Sequence, residues 1–296
     1  MHKIDPADEK QLFDTIDRWV AREVAPRVKE FDHADRWPAE IVEQMKELGL
    51  FGATVSPEYG GLGLPATTYA QIVMKISSVW MAITGIFNSH LMLALAVEKF
   101  GTEPQRRHWL PKFASGEVRG GLALTEPNAG TDLQAIRMTA RRDRGDYVIN
   151  GTKTWISNGI EGSCFALLVK TNPEAQPRYS GMSLFIAPKG PGFRVGRKLE
   201  KLGYHSIDSG ELVFQDYRVP ADHLIGGPDQ VLPVEGAVGG DERSGRDRLT
   251  SGDGMAGDPD PMGVDGVQVV AEGQHHHTRT EGTELSTEAD EVGTES

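Results

Sequence analysis

Residues 122–132, LALTEPNAGTD, run off an apolar strand into hydroxyl, acid, Pro, Asn and Gly. Further on, 147–159 read YVINGTKTWISNG, strand-like on both sides of Asn-Gly, with a lone Trp among hydroxyl residues. The first stretch offers freed backbone amides and hydroxyls. The second offers an aromatic plate with its own hydroxyl. A planar, hydrogen-bonding ring system such as a flavin needs those parts.

The two stretches resemble the flavin-binding segments of the acyl-CoA dehydrogenase family. FGTEPQRRHWLPKFASGE at 100–117 resembles the helix that precedes them there. Three ordered motifs at the right separations make the match specific, and it covers roughly residues 8–227. The resemblance implies FAD as cofactor and α,β-dehydrogenation of an acyl-CoA thioester, a reaction of fatty acid metabolism. A base takes the proton beside the carbonyl while the β-hydride passes to the flavin. The carbonyl must be polarised as enolate character develops, and base and flavin must face opposite sides of the substrate.

Residue by residue, the resemblance places Leu122, Ala123, Leu124 and Thr125 against the flavin ring, chiefly through their main chain. The family often has an aromatic residue where Leu122 stands. Gly130 and Thr131 match positions where the loop meets flavin phosphate, and Thr131 also the CoA portion of the substrate. Trp155 maps onto the residue packing against the isoalloxazine. Ser157 maps onto the hydroxyl, commonly Thr in the family, beside the hydride-accepting nitrogen. Ile156 lies between them and faces the other way on a strand. Plain core packing is the competing reading for Trp155, an ordinary core strand for 122–125 and a simple turn for Gly130. Glu126 invites a catalytic reading, but in the resemblance this acid is structural and shapes the turn.

In the family the base is a glutamate from a carboxy-terminal helical bundle. No acid in 1–227 matches its motif, so no catalytic residue is assigned and a truncated, weakly active version is expected. The family also implies an electron-transfer flavoprotein or similar acceptor as partner, and homo-oligomers built largely through that bundle. Two other readings compete: a non-catalytic flavin- or acyl-CoA-binding module, partner to a full-length relative, and a same-fold flavin monooxygenase or oxidase. Residues 76–98, placed near the acyl cavity by the resemblance, hold no Lys or Arg, which suits a neutral acyl chain.

Net charge is −12 over 296 residues, but residues 229–296 hold 16 acids against 4 Lys+Arg. That leaves 27 of each sign in 1–228, with no basic stripe for nucleic acid. The lone Cys164 forms no intramolecular disulfide and lies in an apolar run, as a buried strand residue would. With no signal-peptide pattern at the start, a cytoplasmic protein is expected. The run 79–97 is long and apolar, but Asn88, Ser89 and His90 at its middle argue for buried helices over a membrane span.

The expected fold class is α+β. Residues 1–118 form a helical domain, 119–227 a β-barrel domain, and 228–296 a disordered low-complexity tail in place of the bundle. Apolar spacing predicts helices over 8–31, interrupted near Pro26, and over 38–48, 68–98 and 104–115. Strands are predicted at 120–125, 135–142, 146–150, 152–157, 164–170, 182–187, 193–197 and 211–216, with Asn150-Gly151 as a hairpin turn. The tail lacks Phe, Trp, Tyr, Ile, Cys and Lys and has three Leu, too little apolar surface to offset ordering entropy. A genuine acidic extension and a shifted reading frame in GC-rich DNA both fit it, composition favouring the second.

Overall fold

A computed structural model describes residues 4–227. The expected disordered tail at 228–296 lies outside these residues.

Helix α1 (Pro6–Trp19) starts where the Asp5 carboxylate accepts from the Ala7 N–H at 2.8 Å and Pro6 fills the first turn. One π-helical turn, Val20–Val24, follows, and α2 (Val28–His33) resumes beyond Pro26. Pro26 has no N–H to continue the ladder, so the interruption falls where the sequence predicts it. The predicted apolar face buries Ile16, Val20, Val24 and Phe31. Helix α3 (Ala39–Glu47) is followed by Gly49 at φ 71°, a left-handed position suited to glycine.

Helix α4 (Ala66–Phe100) breaks at Trp80, whose φ and ψ are −151° and 97°. In an unbroken helix Tyr69 and Phe87 would stand ~27 Å apart, yet their ring centroids are 6.3 Å apart. The chain therefore folds back on itself. Trp80 is buried at the bend, its indole N–H donating to Asp32 Oδ1 at 3.3 Å. By length and apolarity α4 would suffice to cross a membrane, but more than half of its most apolar window is buried inside the protein. Helix α5 (Glu103–Ala114) opens on a reciprocal cap between Thr102 and Gln105.

Seven strands form one curled mixed sheet: β1 (Gly120–Ala123), β2 (Thr139–Asp143), β3 (Asp146–Ser157), β4 (Cys164–Lys170), β5 (Met182–Pro188), β6 (Phe193–Lys198) and β7 (Ser209–Pro220). Their order is β1-β4-β2-β3-β7-β6, with β5 also on β4. β1 runs parallel to β4, and β3 pairs antiparallel with both β2 and β7. The curled sheet encloses Phe165, Leu167, Phe185, Leu212 and Phe214. Cys164 is fully buried on β4, and burial pushes its thiol well above the usual range.

One expectation is corrected. Asn150-Gly151 is not a hairpin turn; 146–150 and 152–157 are parts of the single strand β3. The turn falls at Arg144-Gly145, both with positive φ (53° and 96°), as a two-residue hairpin loop demands. Gly151, at φ 147°, serves a bulge where the register with β7 shifts. A Cβ there would lie 2.7 Å from Met138 Cγ. The Asn150 amide reaches across to Asp216, its Oδ1 accepting that residue's N–H at 2.8 Å.

Two amides join helices to sheet. Asn158 Nδ2 donates to the carbonyls of Ile86 and Gly120, each at 2.8 Å. Gln105 Nε2 donates to Asp222 O and Leu224 O at 2.6 and 2.7 Å, while its Oε1 accepts from Thr102 and Gly226.

Candidate functional site

The chain leaves β1 at Ala123 and turns tightly at Pro127-Asn128. Glu126 and Ala129 exchange backbone hydrogen bonds of 2.8 and 3.1 Å around that turn. The turn then docks on β3, where the Thr154 N–H donates to Thr125 O at 2.9 Å. Beneath it lies an ion pair closed to solvent, Lys153 Nζ to Glu126 Oε1 at 2.9 Å, with side-chain exposures of 0% and 3%. Lys153 Nζ also donates to Leu124 O at 2.8 Å. Glu126 further accepts the N–H groups of Arg137 (2.7 Å) and Met138 (3.1 Å). Burial holds the Lys153 ammonium below the usual lysine range, opposed by the adjacent Glu126 charge. Glu126 is thus the anchor of the turn, with no oxygen aimed at a substrate.

Trp155 stands in a bulge. The β3–β7 register shifts between Lys153 and Ile156, and Trp155 has φ 59°, unusual for a bulky residue. Its side chain is not core: the residue is 60% exposed. The β6–β7 register shifts between Val195 and Lys198. Both irregularities lie opposite Glu211 of β7, between Gly210 and Leu212, so Trp155, Glu211 and Arg197 form a row across three strands. With residues 125–130 and Thr154, that row lines a cleft of about 570 Å³. Arg197 Nε lies 3.5 Å from Glu211 Oε2.

Of the residues singled out from sequence, Thr125, Gly130 and Trp155 line this cleft. Leu122, Ala123 and Leu124 do not: Ala123 is in the sheet core, and Leu122 packs against the helical core. Thr131 is exposed just beyond the turn. Ile156 is buried, as strand alternation requires. Ser157 ends β3 beside β1, its carbonyl 3.1 Å from where a Cβ on Gly121 would stand. Thr154, Arg197 and Glu211 were not foreseen as lining residues, nor Lys153 as support. Lys153 had no sequence signal from alternation, because the bulge at Gly151 separates it from the buried Tyr147 and Ile149.

Gly130 tests whether a ligand fits. Its φ is not left-handed, and a Cβ there meets no protein atom within 4 Å. The chain's own packing therefore does not require glycine, whereas a cofactor approaching the backbone closely would. Gly130→Ala is expected to change unfolding free energy by less than about 0.5 kcal/mol and to weaken flavin binding about tenfold. Urea denaturation and a flavin titration read the two effects separately.

Comparison with known proteins shows the family and the fold. Residues 6–117 match the family model for the acyl-CoA dehydrogenase N-terminal domain, and 121–217 that for the middle domain. The chain is 34% identical over 223 residues to the mitochondrial isovaleryl-CoA dehydrogenase of Pongo abelii, covering 74% of this chain and 53% of the relative. A solved acyl-CoA dehydrogenase from Geobacillus kaustophilus superposes with TM-score 0.71 at 33% identity, over 76% of this chain and 60% of that one. A glutaryl-CoA dehydrogenase from Mycobacterium smegmatis, solved with FADH2, gives TM-score 0.64 at 28% identity, over 75% and 55%. The chain spans about half the length of the curated relatives it matches.

Proposed function

Because this chain belongs to the acyl-CoA dehydrogenase family through its N-terminal and middle domains, we propose that it holds FAD against Trp155 and serves the α,β-dehydrogenation of an acyl-CoA thioester. The observation that carries this reading is the convergence of both sequence motifs on one cleft, lined by the 125–130 turn and by Trp155. Bound FAD would supply the two-electron acceptor for hydride leaving the substrate β-carbon. The chain's own residues bind and orient. The indole of Trp155 offers a flat apolar face, Thr125 a hydroxyl, and the turn at Gly130 an open backbone. Ser157 and Thr131, at the edges of the two segments, offer further hydroxyls to ring and phosphate.

Proton removal needs a carboxylate, and neither acid lining the cleft is suited. Glu126 is fully bonded beneath the turn, and Glu211 faces Arg197. As the family resemblance implies, we place the base on a glutamate outside the described residues. Without a positioned base the rate falls by about 10²–10⁴, so we read the described residues by themselves as weakly active. The lack of Lys and Arg in 76–98 favours a neutral acyl chain. An electron-transfer flavoprotein or like acceptor, a homo-oligomeric assembly and a cytoplasmic setting complete the proposal.

The test is a visible spectrum of the purified full chain, before and after adding FAD, followed by anaerobic acyl-CoA. A flavin band bleached by acyl-CoA supports the enzyme. A band that binds ligand but never bleaches, even with a strong electron acceptor, replaces it with a binding module. Folded, colourless protein that takes up no FAD ends the reading altogether.

A further inference from the structure

We propose that Lys153 is a positioning residue of the cleft: it fixes the 124–126 segment relative to the strand that presents Trp155, without touching the ligand. The inference rests on the reading that this cleft holds FAD.

A lysine side chain with no solvent exposure is rare, and removing its charge from water is costly. Exchanging a buried ion pair for apolar residues of similar volume is often neutral or stabilising, so fold stability alone is a weak reason for keeping one. Its better-attested use is to fix one arrangement among several. Lys153 is placed for that. Both of its hydrogen bonds go to one short segment, Leu124 O and Glu126 Oε1, which lead into and support the cleft turn. Through Glu126 the same ammonium is tied to the backbone of Arg137 and Met138, so three separate stretches meet on one charge.

The position in β3 matters equally. Lys153 is the last residue in register with β7 before the bulge, and Ile156 the first after it. Trp155 keeps its left-handed backbone between these two fixed points, a conformation that persists only where its surroundings over-determine it. Between them the Thr154 N–H holds Thr125 O. If the ammonium is lost, the turn has one backbone hydrogen bond to β3 in place of a pinned corner. The indole and the turn would then no longer hold one spacing, and a supporting shell loosened in this way costs binding.

The experiment compares Lys153→Met with the double variant Glu126→Gln/Lys153→Met in the full chain. Ligand-free protein labelled with 5-fluorotryptophan reports Trp155 by 19F NMR, its resonance assigned through Trp155→Phe. Thermal midpoints and FAD titrations complete the set. Lys153→Met is expected to lower the midpoint, shift or broaden the Trp155 resonance and weaken FAD binding about tenfold. In the double variant the midpoint recovers in part, because no charge is left unpaired although an amide has one acceptor oxygen where Glu126 has two, while the altered resonance and weakened binding persist. That separation identifies positioning. Recovery of resonance and affinity together with the midpoint would overturn the proposal, as would a single variant whose resonance and affinity are unchanged. If the parent chain takes up no FAD, the cofactor reading fails, and the Trp155 resonance still decides whether Lys153 positions the indole.

Discussion

Lowering the pH from 6.5 to 4 is expected to remove about 3 kcal/mol of stability through His90 alone. His90 is fully buried in α4, its ring edge-on to Phe51 and Phe113 at centroid distances of 5.2 and 5.8 Å. Its Nε2 meets Phe113 O at 3.0 Å, and Nδ1 has no partner. Burial holds the imidazole down to about 4, and the nearby Arg119 charge works in the same direction. Above 6.5 both folded and unfolded chains carry a neutral ring, and this contribution to stability is complete. Below 6.5 the unfolded chain takes a proton that the folded chain refuses, at about 1.4 kcal/mol per pH unit. Stability is therefore lost as pH falls toward 4. His223, also held low by burial, adds in the same sense.

His205 acts oppositely. Its two ring nitrogens face the carbonyls of Asp32 (3.0 Å) and Lys201 (2.6 Å), and only the doubly protonated ring donates to both. These bonds raise its pKa, so its contribution is present in acid and lost as pH rises through the folded value. The sum of these groups is not diagnostic, but a difference is. Denaturant unfolding of the parent and His90→Leu, from pH 7 to 4.5, should give a parent-minus-variant stability difference that falls steadily as pH falls, because the variant lacks this loss. Parallel curves would show that His90 takes up its proton in the folded state as readily as in the unfolded one.

Which features were legible depends on what encodes them. Strand β4 matches its predicted bounds because an apolar run between turn residues fixes both ends locally. The break in α4 was not visible: no Pro or Gly marks Trp80, and the bend coincides with its contact to Asp32, distant in sequence. Asn150-Gly151 misled because tolerance of positive φ serves a bulge as well as a turn. The same physics hid Arg197 and Glu211. A bulge changes which face a side chain occupies, and two bulges opposite Glu211 turned alternation into a poor guide there. Trp155 and the 125–130 turn, singled out through the family resemblance, were legible to the extent that both line one cleft.

Gly120→Ala is expected to destabilise the chain by at least about 3 kcal/mol, at the top of the usual range for overpacking. A Cβ on Gly120 would lie 1.4 Å from Cys164 O and 2.6 Å from its carbonyl carbon. The obstacle is backbone, so no rotamer change relieves it. Nor can β4 retreat easily, since it pairs with β1, β2 and β5 at once. What gives way is β1. Its displacement strains the Asn158 Nδ2 bond to Gly120 O and carries Leu122–Thr125 away from Thr154. Stability and flavin binding should therefore fall together in Gly120→Ala, in contrast to Gly130→Ala, where only binding should fall. Urea midpoints and FAD titrations on the two variants make the comparison. If Gly120→Ala kept the parent midpoint, the parallel β1–β4 register that seats the first motif beside the second would be wrong.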